Sequence, residues 1–394
     1  MGSRERSAPH CMGAYVLLKV SDQSLDKSPF FDAAHKAGAS QYIVLNHMFM
    51  PYGYGDVVEE YWSLVRDVTL WDVATERQVE VAGRDAPRFV DLIVARNLEK
   101  LSPGQCRYVV MTDETGAIIN DPVIARLEAN LYWISAADAD ILLWCKGVAA
   151  FAGLEVAIRQ PDVAPIQIQG AKAREVVGAL FGEPALKLRY YHLLRTDLRG
   201  IPVVLTRTGW SGDLGYEIYL CDTSRAQELW NLVLEAGGPY RMRVTGPNTI
   251  RRVEAGIIAM RSDIPPGATP YHVGLERLVD LSRPADYIGK AALRETARKG
   301  VNWSLASIAF DESVPHPESA PFGAQPVLWN GRIAGETTVV VHSPRLDRTI
   351  GYARIDSAAA ALGTRILIDG KHGRAAATVV TRPFFDPGKT IPKA

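Results

Sequence analysis

A strand–glycine–helix pattern occurs twice in the chain, and this repetition restricts the available folds more than any other feature. Apolar and polar residues alternate over residues 77–81, as in a half-buried strand, and Gly83 then interrupts the alternation before a helical stretch. The same order returns with alternation over residues 166–169, Gly170 and a helix over residues 173–181. Further strand candidates lie between and after the two patterns, so we expect two similar α+β units with antiparallel sheets. The alternative is that a common motif occurs twice by coincidence.

Length and a change of texture towards the C-terminus predict three domains. A chain of 394 residues is long enough for two or three domains of ordinary size. In its last part, short strand-like segments are separated by turns, and Asn330-Gly331 and Asp369-Gly370 are strong hairpin signals. We therefore expect α+β units over residues 28–160 and 161–300, followed by a C-terminal β-barrel or jelly-roll domain over residues 301–394.

Charge and composition argue against several classes of partner. The 44 basic residues balance the 44 acidic ones, so there is no reason to expect nucleic acid. No apolar run approaches the ~18 residues of a membrane span, and the polar N-terminus lacks the apolar middle of a secretory signal. The four cysteines, Cys11, Cys106, Cys145 and Cys221, form no Cys-x-x-Cys pair, so we expect unpaired thiols rather than disulfides or a zinc site. These features suit a cytoplasmic protein without membrane contact, and they leave a homo-oligomer open.

Several well-known catalytic motifs do not occur. The chain has neither a Gly-x4-Gly-Lys-Ser/Thr phosphate loop nor a Gly-x-Gly-x-x-Gly between a strand and a helix. Gly209, Gly212 and Gly215 are spaced by three, but they precede a strand, which is the wrong context for a dinucleotide site. His-Glu-x-x-His and Gly-x-Ser-x-Gly are also missing, and the histidines are scattered, so we expect no metal site.

Four groups of residues together carry a resemblance to a known family. They are residues 45–55 with 71–77; residues 103–108 with 115–123; residues 207–219; and residues 250–256 with 263, 269–275 and 287–290. In this order and spacing they resemble the T-protein (aminomethyltransferase) family of glycine cleavage, from about residue 28 to residue 387. The resemblance implies an enzyme with three domains around a central channel that holds tetrahydrofolate.

The resemblance also implies roles for individual residues. The key acid of the family lies in a turn that here reads Asn120-Asp121-Pro122, so Asp121 is the expected catalytic residue. A carboxylate there can orient the folate and take up a proton or positive charge as N5 is alkylated. A lone Asp before proline is otherwise an ordinary turn residue.

Five further side chains are expected at the channel or the substrate. Glu217 matches the pterin-binding glutamate, which can bond two ring donors at once, although an isolated Glu on a strand is often simply solvated. Tyr108 and Met50 match channel-lining positions that could equally be core residues, and Arg252 matches an arginine of the fourth group. Trp210 offers an aromatic face to a methylated cation or an aromatic ether, or packs in the core.

Departures from the T-protein pattern favour a different reaction within the family. Asn248 stands where the T-protein has an arginine, the acid turn is Asn-Asp-Pro, and residues 71–80 lack the Ser-His that follows the valine. These features resemble the tetrahydrofolate-dependent demethylase branch, especially the dimethylsulfoniopropionate demethylases. The expected partner is therefore a small methylated substrate, whose methyl group moves to N5 of tetrahydrofolate.

Three alternatives stay open from the sequence. An O- or N-demethylase of a methoxy-aromatic compound or a methylamine would need a proton donor for its leaving group, and Tyr54 or His47 could supply one. Glycine-cleavage aminomethyl transfer is the second alternative, and a folate-binding protein without catalysis is the third.

Overall fold

The structure is a computed structural model that describes residues 25–136, 138–312, 324–370 and 373–394. It contains two α+β units, whose sheets are antiparallel except for the parallel edge pair of Arg243–Val244 with Thr69–Asp72, and a closed C-terminal barrel of six strands. Cys106, Cys145 and Cys221 are free thiols, whereas Cys11 lies outside the described residues.

The first unit is built on a five-stranded antiparallel sheet. Its strands, in spatial order, are Ala157–Arg159, Gln78–Ala82, Leu131–Ser135, Val123–Glu128 and Gln105–Tyr108. Helices Ala86–Ile93 and Ile141–Ala152 cover one face, and their apolar residues join the core of this sheet. A separate two-stranded ribbon, Met111–Thr112 with Ile118–Asn120, precedes the predicted catalytic turn.

The second unit is built on a six-stranded sheet. Its strands, in spatial order, are Leu193–Leu198, Ile201–Thr206, Gly215–Leu220, Ala164–Gln169, Thr69–Asp72 and Arg243–Val244. Helices Ala173–Phe181, Glu183–Leu186 and Ala226–Gly237 belong to this unit, together with 3-10 turns at Thr223–Arg225 and Gly238–Tyr240.

One strand crosses the predicted boundary between the two units. Thr69–Asp72 lies in the first predicted range, yet it pairs antiparallel with Ala164–Gln169 in the second sheet. The two sheets are also linked where their edge strands Gln105–Tyr108 and Leu193–Leu198 approach each other. There Cys106 N donates to Tyr191 O (2.8 Å). The division at residues 28–160, 161–300 and 301–394 stays a prediction, and the sheets themselves do not follow its first cut.

Two smaller groups of elements complete the α+β part. A three-stranded sheet contains, in spatial order, Asp26–Lys27, Met48–Gly53 and Gln41–Leu45. Helix Phe31–Lys36 lies between its first two strands in the chain, and helix Val57–Arg66 follows its last strand. Helices Thr249–Glu254 and Lys290–Lys299 and the 3-10 turn Glu276–Leu278 lead towards the barrel.

The C-terminal strands close into an antiparallel barrel rather than a jelly roll. In spatial order they are Trp303–Phe310, Arg348–Asp356, Arg332–Ser343, Pro326–Trp329, Arg365–Gly370 and Gly373–Val380. The 3-10 turn Ser357–Ala359 comes directly after strand Arg348–Asp356 in the chain, and helix Thr390–Lys393 comes after the last strand of the barrel.

The repeated glycines of the sequence pattern occupy equivalent and demanding positions. Gly83 has φ +132° and Gly170 has φ +129°, a region that side chains disfavour. A Cβ at Gly83 would lie 2.5 Å from Glu155 O, and one at Gly170 would lie 2.4 Å from Leu64 O. In both units the glycine therefore lets the strand-to-helix turn approach another backbone segment closely.

Candidate active site

A cavity of about 1060 Å³ lies where the α+β units and the barrel meet. Six of the predicted site residues line it: Met50, Tyr108, Asp121, Trp210, Glu217 and Arg252. Residues 338–341 of the barrel strand Arg332–Ser343 form part of its wall. The tertiary structure thus gathers side chains from distant parts of the chain into one chamber.

Asp121 is held by a tyrosine at the end of the neighbouring strand. Tyr108 is the last residue of Gln105–Tyr108, and its hydroxyl donates to Asp121 Oδ2 (2.7 Å). Burial raises the pKa of Asp121 to about 7, although the hydrogen bond from Tyr108 opposes the rise. The carboxyl can therefore exchange a proton near neutral pH, as a general acid or base must.

Glu217 lies in strand Gly215–Leu220 and lines the cavity, and hydrogen bonds hold both of its carboxylate oxygens. Its Oε1 accepts from Gln167 Nε2 (2.9 Å), and its Oε2 accepts from the hydroxyl of Tyr219 (2.5 Å). Gln167 Oε1 is buried and has no hydrogen-bond partner among the described residues. Burial raises the pKa of Glu217, while Tyr219 and Thr208 favour its charged form. The site therefore presents hydrogen-bond acceptors to a ligand with N–H donors.

Arg252 connects the cavity wall to the rest of the fold. It lies in helix Thr249–Glu254, and its Nη1 donates to Asp263 Oδ2 (2.8 Å), which is fully buried. Its guanidinium carbon lies 5.6 Å from the centre of the Trp210 ring. One face of the indole is thus occupied by a cation of the protein, and the indole also lines the cavity.

The turn that carries Trp210 is fixed by a buried amide. Ser211 Oγ donates to Gln169 Oε1 (2.6 Å), and Gln169 is fully buried. A Cβ at Gly209 or Gly215 would lie within 2.4 Å of the Gln169 side chain. Two of the three glycines spaced by three, Gly209 and Gly215, therefore make room for this amide beside the turn that carries the indole.

Met50 lies in the wall with its sulfur held by a neighbouring loop. It is buried in strand Met48–Gly53, and Thr75 Oγ1 lies 3.3 Å from its sulfur. Asn248, the departure from the T-protein arginine, begins helix Thr249–Glu254 by accepting from Arg251 N (3.1 Å). The asparagine therefore has a local structural role as well as a place in the cavity wall.

Two predicted substrate residues do not reach the cavity. His47 lies in a turn with φ +60°, its side chain is 74% exposed, and its nearest acidic group is Asp140 at 4.0 Å. Tyr54 packs against the core of the second unit, with its hydroxyl buried away from any hydrogen-bond partner. Neither side chain is among those that line the chamber, so the cavity gives no support to either residue as a proton donor, and that role stays a prediction.

Three charged residues of the cavity wall were not singled out from the sequence. Glu76 lies near Glu217, and Arg277 and Lys389 line the cavity without an acidic partner within 4.0 Å among the described residues. Glu76 belongs to a motif in the sequence, residues 71–77, but only the paired sheets show that it faces Glu217. A cation without a nearby acid is not recognisable from sequence spacing.

The described residues contain no helix long and apolar enough to cross a membrane. They also contain no group of three or more His, Cys, Asp or Glu side chains arranged to hold a metal ion.

Comparison with known families identifies the class to which this fold and cavity belong. The family model "GCVT N-terminal domain" matches residues 30–283, and "Glycine cleavage T-protein C-terminal barrel domain" matches residues 311–386. The chain belongs to the glycine cleavage T-protein family. The expected family is confirmed, and with it a tetrahydrofolate-dependent transferase.

Individual relatives refine the comparison. The chain is 34% identical to a dimethylsulfoniopropionate demethylase of Ruegeria pomeroyi, over 90% of this chain and 95% of that protein. It is 28% identical to an aminomethyltransferase of Symbiobacterium thermophilum, over 92% and 98% of the two chains. The crystal structure of aminomethyltransferase T from Bartonella henselae has a TM-score of 0.82 at 23% identity, covering 92% and 99%. This likeness confirms the predicted fold class.

Proposed function

We propose that this enzyme demethylates dimethylsulfoniopropionate and transfers the methyl group to N5 of tetrahydrofolate. The proposal rests chiefly on one chamber that Asp121, Glu217 and Trp210 all line. It is supported by the similarity to the Ruegeria pomeroyi demethylase over nearly the whole of both chains.

The acceptors of the chamber fit the pterin of tetrahydrofolate. The Glu217 carboxylate and the unpartnered Gln167 Oε1 complement the 2-amino and N3–H donors of a pterin ring. Met50 and Tyr108 would form apolar and aromatic walls of the same site.

Two cations suit the other end of the cofactor. Arg277 and Lys389 both line the cavity, and neither has an acidic partner among the described residues. We infer that they bind the carboxylates of the glutamate tail, because unpaired cations at a cavity wall attract an anionic group.

When bound, tetrahydrofolate supplies N5 as the nucleophile that accepts the methyl group. The carboxylate form of Asp121 can accept the proton that N5 must lose. The face of Trp210 turned away from Arg252 can hold the sulfonium methyl groups. Holding both reactants in one chamber lowers the barrier by up to ~7–11 kcal/mol, because the displacement no longer requires a chance encounter.

A sulfonium suits this chamber better than an ether. Cleavage of the S–CH3 bond releases a neutral thioether, which needs no proton, whereas an ether oxygen needs a donor as it departs. His47 and Tyr54 lie outside the chamber, and the hydroxyl of Tyr108 is already bonded to Asp121. The residues that would favour an O-demethylase are therefore not in place.

The test is direct. Purified protein is mixed with tetrahydrofolate and dimethylsulfoniopropionate without oxygen, and 5-methyltetrahydrofolate is measured by mass. The proposal expects this product, its loss in Asp121→Ala, and loss of tetrahydrofolate binding in Glu217→Ala. Tetrahydrofolate binding without product would reject the substrate, and a panel of methoxy-aromatic, N-methyl and aminomethyl-lipoyl donors would then identify the reaction.

A further inference from the structure

A second carboxyl group lies beside Glu217 in the cavity wall. Glu76 belongs to the loop between strands Thr69–Asp72 and Gln78–Ala82, and it lines the same chamber. Its Oε2 accepts from Ser135 Oγ (3.3 Å). The same Ser135 Oγ lies 3.4 Å from the hydroxyl of Tyr219, which donates to Glu217. Each carboxyl group therefore accepts from a hydroxyl group, and the oxygens of these two hydroxyl groups, on Ser135 and Tyr219, lie 3.4 Å apart.

The groups already assigned to the pterin are acceptors only. Glu217 presents carboxylate oxygens, and Gln167 uses its Nε2 on Glu217, so its free atom is the Oε1 oxygen. A pterin edge carries a carbonyl oxygen at C4 next to its N–H donors. A site that contains acceptors alone would leave this carbonyl facing another oxygen, which is unfavourable in a buried setting.

Glu76 can supply the missing donor if it carries a proton. Burial and the charge of Glu217 raise the pKa of Glu76 to about 8. Glu217 keeps its charge more readily, because Tyr219 and Thr208 donate to it. The other titratable groups near Glu217 are Tyr219, Tyr191 and Cys106, whose pKa values burial raises well above neutrality. Two adjacent carboxylates repel each other, so one negative charge and one proton is the favoured combination for the pair.

We propose that Glu76 is a second pterin-binding residue, whose carboxylic acid donates a hydrogen bond to the C4 carbonyl while Glu217 accepts from the ring donors. This inference rests on tetrahydrofolate as the ligand of the chamber. It assigns the two carboxyl groups opposite roles, one as donor and one as acceptor, in the same recognition step.

The experiment measures the affinity for tetrahydrofolate by calorimetry at a series of pH values. In the wild-type protein the affinity is expected to fall by up to about tenfold per pH unit above pH ~8, because the donor loses its proton. Glu76→Gln keeps an N–H donor and cannot ionise, so its affinity should stay level over that range. Glu235→Gln, an exposed position outside the chamber, should follow the wild type.

A second variant and a ligand-free measurement protect the test against misfolding. Ser135→Ala removes a hydrogen bond that lowers the pKa of Glu76, so the fall in affinity should move to higher pH. In infrared spectra without ligand, the wild-type protein should show a protonated carboxyl band that is missing from Glu76→Gln and that disappears over the same pH range, above the range in which Asp121 titrates.

Three results would overturn the inference. They are a wild-type affinity that stays level with pH, a wild-type pH dependence retained in Glu76→Gln, and a carboxyl band that is absent at neutral pH. Each leaves tetrahydrofolate binding intact and so leaves the proposed function standing. A wild-type protein that binds no tetrahydrofolate at any pH would reject the proposed function, and this inference with it.

Discussion

The hydroxyl of Tyr108 donates a 2.7 Å hydrogen bond to Asp121 Oδ2 in the wall of the central chamber. The two residues come from a sheet strand and from the turn that follows a separate two-stranded ribbon. Burial raises the pKa of Asp121, and the hydrogen bond from Tyr108 lowers it again by stabilising the charged form. Tyr108 is therefore expected to set the pH at which Asp121 can accept a proton.

Replacing Tyr108 with phenylalanine tests this relationship. The pKa of Asp121 should rise by about one unit, because a hydrogen bond to a charged group is lost. The carboxylate is the base, so the activity at low pH should fall, and the rise of kcat/KM with pH should move upward by the same amount. The measurement is a pH profile of methyl transfer. An unchanged profile in a folded variant would show that Tyr108 does not tune Asp121.

Removing the indole of Trp210 should affect the methylated substrate more than the cofactor. Trp210→Ala loses the aromatic face, so the KM for dimethylsulfoniopropionate should rise by about 3- to 30-fold, as expected for a cation–π contact of ~0.5–2 kcal/mol. Trp210→Phe should retain part of the contact, and the Kd of tetrahydrofolate should change little. Equal losses for substrate and cofactor would indicate that the tryptophan only supports the wall with Arg252.

Arg277 and Lys389 should distinguish folates by the length of their glutamate tail. Arg277→Ala and Lys389→Ala are each expected to weaken binding of polyglutamylated tetrahydrofolate by about tenfold. The monoglutamate should lose less, because it has fewer carboxylates that the removed cation could bind. Calorimetric Kd values for the two ligands provide the measurement. Arg294→Ala, an exposed arginine outside the chamber, is the matched control. No loss for either ligand would place the tail elsewhere, and an equal loss for both would show that the cations bind only the first glutamate.

Alanine substitution should destabilise the protein more at Gly170, the glycine of the second strand–helix turn, than at Gly300, which also has a positive φ. Gly170→Ala adds a Cβ 2.4 Å from Leu64 O, whereas a Cβ at Gly300 would meet nothing within 4 Å. Both glycines have positive φ, so backbone strain affects both variants. The additional loss of unfolding free energy in Gly170→Ala reports the collision and should exceed about 2 kcal/mol. Thermal melting of the two variants gives the comparison. Equal melting temperatures would contradict the close approach.

Local sequence patterns suffice for features that depend on neighbouring residues. The strands Pro326–Trp329 and Arg332–Ser343 pair on either side of the predicted Asn330-Gly331 turn, because hairpin geometry is decided by a few adjacent residues. The ordered motifs determined the family and its cofactor. They also predicted that Asp121 and Glu217 share a site. Both residues line the cavity, and their roles in it stay predictions.

Only the tertiary structure decided which residues from different segments meet. Thr69–Asp72 joins the second sheet, and this pairing brings the following loop, with Glu76, to Glu217. His47 and Tyr54 belong to a matching motif, yet the chain turns one into solvent and the other into a core. The physical reason is that strand pairing and burial depend on residues far apart in the chain, whereas sequence patterns report the preferences of neighbours.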